Sequence, residues 1–207
     1  MIKKSSENTL NMKSRFRGFL PIVIDIETAG FNAKTDAMLE LAAVILHMDE
    51  EGKLTRGETH SYHIEPFASA NLDPKSLEFT GIDPYHPFRF AKPEREILKD
   101  LFKQVNLQMK AQHCHRAVMV AHNAMFDMSF LQAAITRCEF KKSPFHPFTT
   151  FDTATLAAAC YGQTVLARAM EKAEIEFDIK EAHSAIYDAE KTADLFCKMI
   201  NVLKGAA

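Results

Sequence analysis

The chain has 207 residues, enough for one large domain or two small ones, and at that length a core needs neither disulfides nor a structural metal. Its 47% hydrophobic and 25% charged residues exclude a largely disordered chain. A formal charge of -2 excludes a uniformly basic nucleic-acid binder but not local basic patches beside an acidic site. The cysteines Cys114, Cys138, Cys160 and Cys197 form no CxxC pair, so four reduced thiols in the cytoplasm are expected rather than a zinc site. No apolar signal segment opens the chain. The longest apolar run, Leu41 to Leu46, is far below the ~20 residues that span a bilayer, so no membrane association is expected.

Residues 1–18 read as a mobile basic arm, with Lys3, Lys4, Lys13, Arg15 and Arg17 set against Glu7. A role in solubility alone is the competing reading of the arm. Leu20 to Glu27 is a β-rich run carrying two acids, Leu39 to His47 is a second apolar run, and Glu58 to Glu65 alternates as a strand. Short turns between the three suggest an antiparallel meander. Pro66 to Pro93 reads as irregular, with a short helix over Pro74–Thr80.

Ile97, Leu98, Leu101, Phe102, Val105 and Met109 recur at helical spacing between Glu94 and about Cys114. A strand at Ala117–Ala121, a helix at Met125–Arg137 and a short strand at Phe148–Phe151 follow. Asp152 is placed to cap a helix over Thr153–Tyr161. Further helices are expected at Thr164–Ala173 and from Ser184 to about Leu203. Strands first, then strand–helix alternation, give an α/β fold with a mixed sheet flanked by helices, in a single domain over residues 19–205.

Asp25 and Glu27 are the strongest clue to chemistry. Residues two apart on a strand share a face, and two carboxylates on an apolar strand repel each other and lose hydration unless a cation compensates. Two solvated acids at a strand end are the competing reading. Asp127 starts a helix just after a strand, and Asp188 lies early in the last helix. Mg²⁺ takes oxygen ligands and keeps several waters, so a few carboxylates suffice. Paired ions of this kind serve phosphodiester cleavage. His183, five residues before Asp188, is placed to take a proton from an attacking water. His122 fits a supporting hydrogen bond, and His113-Cys114-His115 reads as an exposed helix end rather than a metal cluster.

The motifs Ile24-Asp25-Ile26-Glu27-Thr28, His122-Asn123-Ala124-Met125-Phe126-Asp127 and His183 to Asp188 stand in the order of the DEDDh exonuclease superfamily, and the chain resembles it from about residue 20 to 200. The resemblance implies a ribonuclease-H-like mixed five-stranded sheet and two Mg²⁺ per site, with Mn²⁺ as a substitute. It also implies that Asp25 bridges both ions, that Glu27 and Asp188 complete one site and Asp127 the other, and that His183 is the general base. The lead Arg15 to Pro21, then Glu27 to Phe31 and Phe79 to Ile82, are most similar to a branch of homodimers that trim transfer RNA and other stable RNAs, and also degrade single-stranded DNA.

That branch implies that Phe31, Phe79, Phe126 and Phe148 stack on the last bases, as aromatic platforms do in single-strand binding. Core packing is the competing reading of each ring. Lys75 departs from the pattern, where an acid is expected, which bears on base selectivity. Cations must offset the acidic mouth. Arg15, Arg17, Lys110 and Arg116 are the candidates, with Lys13, Lys141 and Lys142 beside them. A polymerase proofreading subunit is the alternative enzyme, and an inactive binding module the alternative from another class.

Overall fold

A computed structural model describes residues 11–204. Five strands form one mixed sheet: β1 (Phe19–Thr28), β2 (Met38–Met48), β3 (Leu54–His63), β4 (Arg116–Ala121) and β5 (Phe145–Asp152), in the order β3-β2-β1-β4-β5. β1, β2 and β3 are the expected antiparallel meander, though nine residues rather than a tight turn join the first pair. β4 adds to β1 in parallel and β5 to β4 likewise. On β1, Ile22, Val23 and Ile24 are all fully buried. Since successive side chains face opposite ways, both faces of the central strand are covered.

The helices are α1 (Met12–Arg15), α2 (Pro74–Thr80), α3 (Glu94–Ala111), α4 (Met125–Arg137), α5 (Thr153–Tyr161), α6 (Leu166–Lys172) and α7 (Ala185–Lys204). α2 begins where the sequence dictates. Pro74 presets the first turn, and the Asp73 side chain accepts from the Ser76 N–H. Gly81, at φ 69°, ends it in a left-handed cap. Asp152 caps α5 as expected, accepting from the Thr155 N–H. α7 lies across β1, β2 and β3, whereas α3 and α4 pack on β4 and β1.

The structure differs from the expected mobile arm over residues 11–18. Asn11 and Ser14 form a reciprocal capping box around α1. Met12 is 3% exposed within the main core, and the Phe16 ring lies 5.5 Å from that of Phe151. Gly18 runs so close to His115 that a Cβ would sit 2.8 Å from the imidazole. Apolar burial thus outweighs charge in this segment. Lys3 and Lys4 lie outside the described residues.

Candidate active site

The parallel pairing of β1 and β4 stops at Val23–Val120, and the remainder of β1 runs on alone on that side. Asp25 and Glu27 sit on this extension and share a face, as the strand period requires. Asp127, 4% exposed in the first turn of α4, fills the fork between the strands, where its carboxylate accepts from the N–H groups of Ile26 and Asp127. Asp188, 9% exposed in the first turn of α7, completes the group, its charge acting on both Asp25 and Glu27. The structure therefore brings together all four acids expected from the sequence.

Their electrostatics show an uncompensated cluster. Burial pushes the Asp25 carboxyl well above its usual range, and the charges of Asp127, Glu27, Asp188 and Glu40 push it further. Burial, with Asp188 and Glu40, raises Glu27 to about 7. Burial raises Asp127 and Asp188 too, and the His183 N–H partly offsets the latter. One oxygen of Asp188 accepts from the His183 N–H at 2.9 Å, whereas the other, Oδ1, is buried with no hydrogen-bond partner. A buried lone acceptor among repelling carboxylates is stabilised by a cation. Ligand atoms of Glu27, His183 and Asp188 lie within 4.8 Å of one another. These residues fit a hard divalent cation with oxygen donors.

His183 is exposed at the mouth, held at φ 68° by its own N–H bond to Asp188. Its ring centroid lies 4.3 Å from that of Phe79. His122 has the supporting role expected of it. Its ring nitrogens meet the Thr153 hydroxyl at 3.0 Å and the Thr164 carbonyl at 2.8 Å, and burial lowers its pKa, so it ties the end of β4 to α5 and to the loop after it.

Exposure separates the aromatic side chains. Phe31 is 85% and Phe79 67% exposed, so packing explains neither ring. Phe126 is half-buried. One side packs on the core, 5.0 Å from Phe130, and the other meets Phe31 at 6.2 Å. Phe148 is exposed but stands apart, edge-on to His146 on the outer strand. It lies four residues before Asp152, about 13 Å back along β5. Lys75 is exposed in the first turn of α2.

The basic candidates do not surround the carboxylates. Arg116 opens β4 opposite Phe19, at the far end of the sheet, about 26 Å from Glu27 along β1. It lines a groove of about 1150 Å³ with Lys141 and Lys142. Lys110 is exposed at the end of α3. Arg15 turns to the Ile200 carbonyl of α7, and Arg17 is exposed beside it.

Three contributors were not legible. Glu40 pairs in register with Glu27 across β1 and β2, a proximity that only the sheet alignment creates. Asp152, read as a cap alone, also accepts from the N–H groups of Asn123 and Ala124 and so fixes the loop leading to Phe126 and Asp127. Asp36 is 6% exposed and accepts from the Asn32 N–H, Thr35 and Asn71. It clasps the Phe31 loop to the segment before α2. Gly30 makes room for it, since a Cβ there would lie 2.0 Å from the Asp36 carboxylate.

A five-stranded mixed sheet with four acids at the tip of its central strand defines a nuclease of the metal-dependent kind. The family model described as Exonuclease matches residues 22–196, and the chain belongs to that family. It is 58% identical to ribonuclease T of Vibrio parahaemolyticus, over 94% of this chain and 92% of that protein. It is 60% identical to ribonuclease T of Marinobacter nauticus, over 92% and 86%. These relatives do not favour the proofreading-subunit alternative. Among solved structures, E. coli exonuclease I with a dT13 oligonucleotide superposes with a TM-score of 0.69 at 18% identity. That match covers 90% of this chain, which spans 42% of that longer one. A 3′-exonuclease recognising a histone mRNA stem-loop superposes at 0.70 and 16% identity, over 88% of this chain and 63% of that one. The fold is the ribonuclease-H-like one.

Proposed function

We propose that this 3′→5′ exoribonuclease trims the 3′ ends of transfer RNA and other stable RNAs in the cytoplasm, releasing 5′-mononucleotides, and also shortens single-stranded DNA. The observation that carries the reading is the convergence of Asp25, Glu27, Asp127 and Asp188 beside an exposed His183 and exposed rings. Two Mg²⁺ ions bound there would supply Lewis-acid stabilisation of the attacking and leaving oxygens. Asp25, Glu27, Asp127 and Asp188 would hold them through their carboxylate oxygens. His183 takes the proton from the water that attacks the last phosphodiester. Phe31, Phe79 and Phe126 stack on the terminal bases, and Phe148 on a base further in. Incubation of a 5′-labelled transfer RNA precursor with a short 3′ extension tests the reading. Products shortened stepwise from the 3′ end support it, and internal cuts or an unchanged substrate in Mg²⁺ or Mn²⁺ refute it.

Replacing Phe31 or Phe126 by alanine should each weaken binding of a single-stranded 3′ end by roughly 1–3 kcal/mol. The variants differ in a second respect. Phe31→Ala should leave the melting temperature unchanged, because the ring is exposed. Phe126→Ala should lower it, because one side of that ring packs on the core. Unchanged affinity for both would leave these rings without a binding role.

The raised Glu27 fixes the sign of a pH effect. Its carboxyl titrates near 4.5 unfolded and at about 7 folded, so between those values the folded state holds a proton that the unfolded state has released. Without metal, this contribution to stability is therefore lost as pH rises from about 4.5 to about 7. Mg²⁺ must displace that proton, so it should raise the melting temperature more at about pH 8 than at about pH 5.5. Glu27→Gln should flatten the metal-free pH dependence. A melting temperature equally indifferent to Mg²⁺ at both pH values would remove the cation site.

The distance between Arg116 and the carboxylates supports a homodimer in which one subunit's cations, among them Arg15, Arg17, Lys110 and Arg116, grip the RNA body while the other cuts its end. A mixed dimer decides this. One subunit carries Asp25→Asn and the other carries Arg15, Arg17 and Arg116 replaced by alanine. It should keep one working site, and an inactive mixed dimer built from folded dimeric parents would mean that each subunit works alone.

A further inference from the structure

The segment joining α2 to α3 holds three rings in water: Tyr85 is 75%, Phe88 76% and Phe90 80% exposed. The segment itself is firmly tied down. The Arg89 guanidinium donates to the Leu39 carbonyl at 2.7 Å and to that of Pro84 at 3.0 Å. The Lys92 N–H donates to His63, and the Glu65 N–H to Lys92, both at 3.0 Å. Phe90 is held at φ 49°, a conformation unfavourable for any L-residue with a Cβ. A half-buried guanidinium and a strained backbone thus hold two phenylalanines out of the core. The isolated fold gains nothing from that arrangement.

Phe88 and Phe90 line a cleft of about 1060 Å³ with His63, Lys92, Lys99 and Lys103. Its acids are Glu96 and Asp100, and Asp100 is occupied by the Tyr62 hydroxyl at 2.9 Å. Lys99 and Lys103 are four apart on α3 and so share a face. They also line the groove that holds Arg116, Lys141 and Lys142, so these two lysines stand between the two clefts on α3. At its other end the cleft approaches the carboxylates. The His63 imidazole meets Glu40 at 3.1 Å, and Glu40 is paired with Glu27. Two strand spacings put the backbones of Glu27 and His63 about 10 Å apart.

We propose that this cleft binds the single-stranded nucleotides just upstream of the 3′ end being cut, with bases on Phe88 and Phe90 and phosphates on Lys92, Lys99 and Lys103. The proposal rests on the exonuclease reading and extends it to a nucleic-acid path within one subunit. Interleaved rings and cations hold single strands without reading sequence. Lysines in the cleft suit phosphates, whereas protein–protein interfaces are depleted in lysine.

The test compares the wild type with two variants, Phe88→Ala/Phe90→Ala and Lys92→Ala/Lys99→Ala/Lys103→Ala, binding oligouridylates of four and about twenty nucleotides in Ca²⁺. The ring variant should lose roughly tenfold or more in affinity for the long oligomer and keep its affinity for the short one. The lysine variant should show a salt dependence shallower by about 0.7 in log–log slope per lost phosphate contact. Unchanged affinity and slope for the long oligomer would overturn the proposal. So would a fall in sedimenting mass of the ring variant at wild-type affinity, which would make the patch a surface for a second copy of the chain. The readout is binding, so a wild type that binds but releases no nucleotide in Mg²⁺ would refute the exonuclease reading and leave the cleft to stand or fall separately.

Discussion

Asp25→Asn should abolish hydrolysis in Mg²⁺, by at least ~10²–10³-fold, while the protein stays folded. Cation stabilisation of the reacting oxygens is worth several kcal/mol, and each ~1.4 kcal/mol is tenfold in rate. Asp25 is the group on which the charges of Asp127, Glu27, Asp188 and Glu40 all converge, so it is where a cation gains most. Removing its charge also relieves that repulsion, so the metal-free melting temperature should hold or rise. Asn keeps the size of the side chain, and the neighbouring β1 residues Ile24 and Ile26 remain packed. Near-normal turnover by a pure variant would sink the metal-site assignment.

His183→Ala should slow the chemical step by ~10²–10⁴-fold, the usual contribution of a positioned general base, and weaken substrate binding far less. The imidazole is exposed and its backbone, not its ring, makes the bond to Asp188. The substitution therefore leaves the Asp188 contact in place. Single-turnover rates in Mg²⁺ and affinities in Ca²⁺ separate the two effects. The Phe79 ring also packs on this imidazole, so a modest loss of affinity is expected. Equal losses in rate and affinity would make His183 a binding residue instead.

The convergence of the four acids and His183 was legible because its signal is local: a spacing of two on a strand, an acid in the first turn of each of two helices, a histidine five residues before the last acid. α2 and α4 follow the expected bounds because Asp73-Pro74 and the apolar stripe of Phe130, Leu131 and Ala134 are equally local. What escaped depends on contacts between distant residues. β5 begins at Phe145 rather than Phe148. Pro144 and Pro147 argue for a loop, but an outer strand tolerates proline, and a buried Phe145 anchors its start. β3 begins four residues early, at Leu54, because Asn201 on α7 exchanges hydrogen bonds with the Leu54 backbone. Met12 joins a core that the charges around it conceal. Glu40 reaches the site only through strand register.

The carboxylates come from both extremes of the chain, Asp25 on the second described element and Asp188 on the last. A ribosome delivers them in that order. While β1 to α6 are already outside, the group lacks the Asp188 carboxylate and the His183 imidazole, and the β1–β3 surface that α7 covers is still bare. On the proposed assignment of the site, a nascent chain carries three acids without the partner that closes the cluster until α7 emerges and docks.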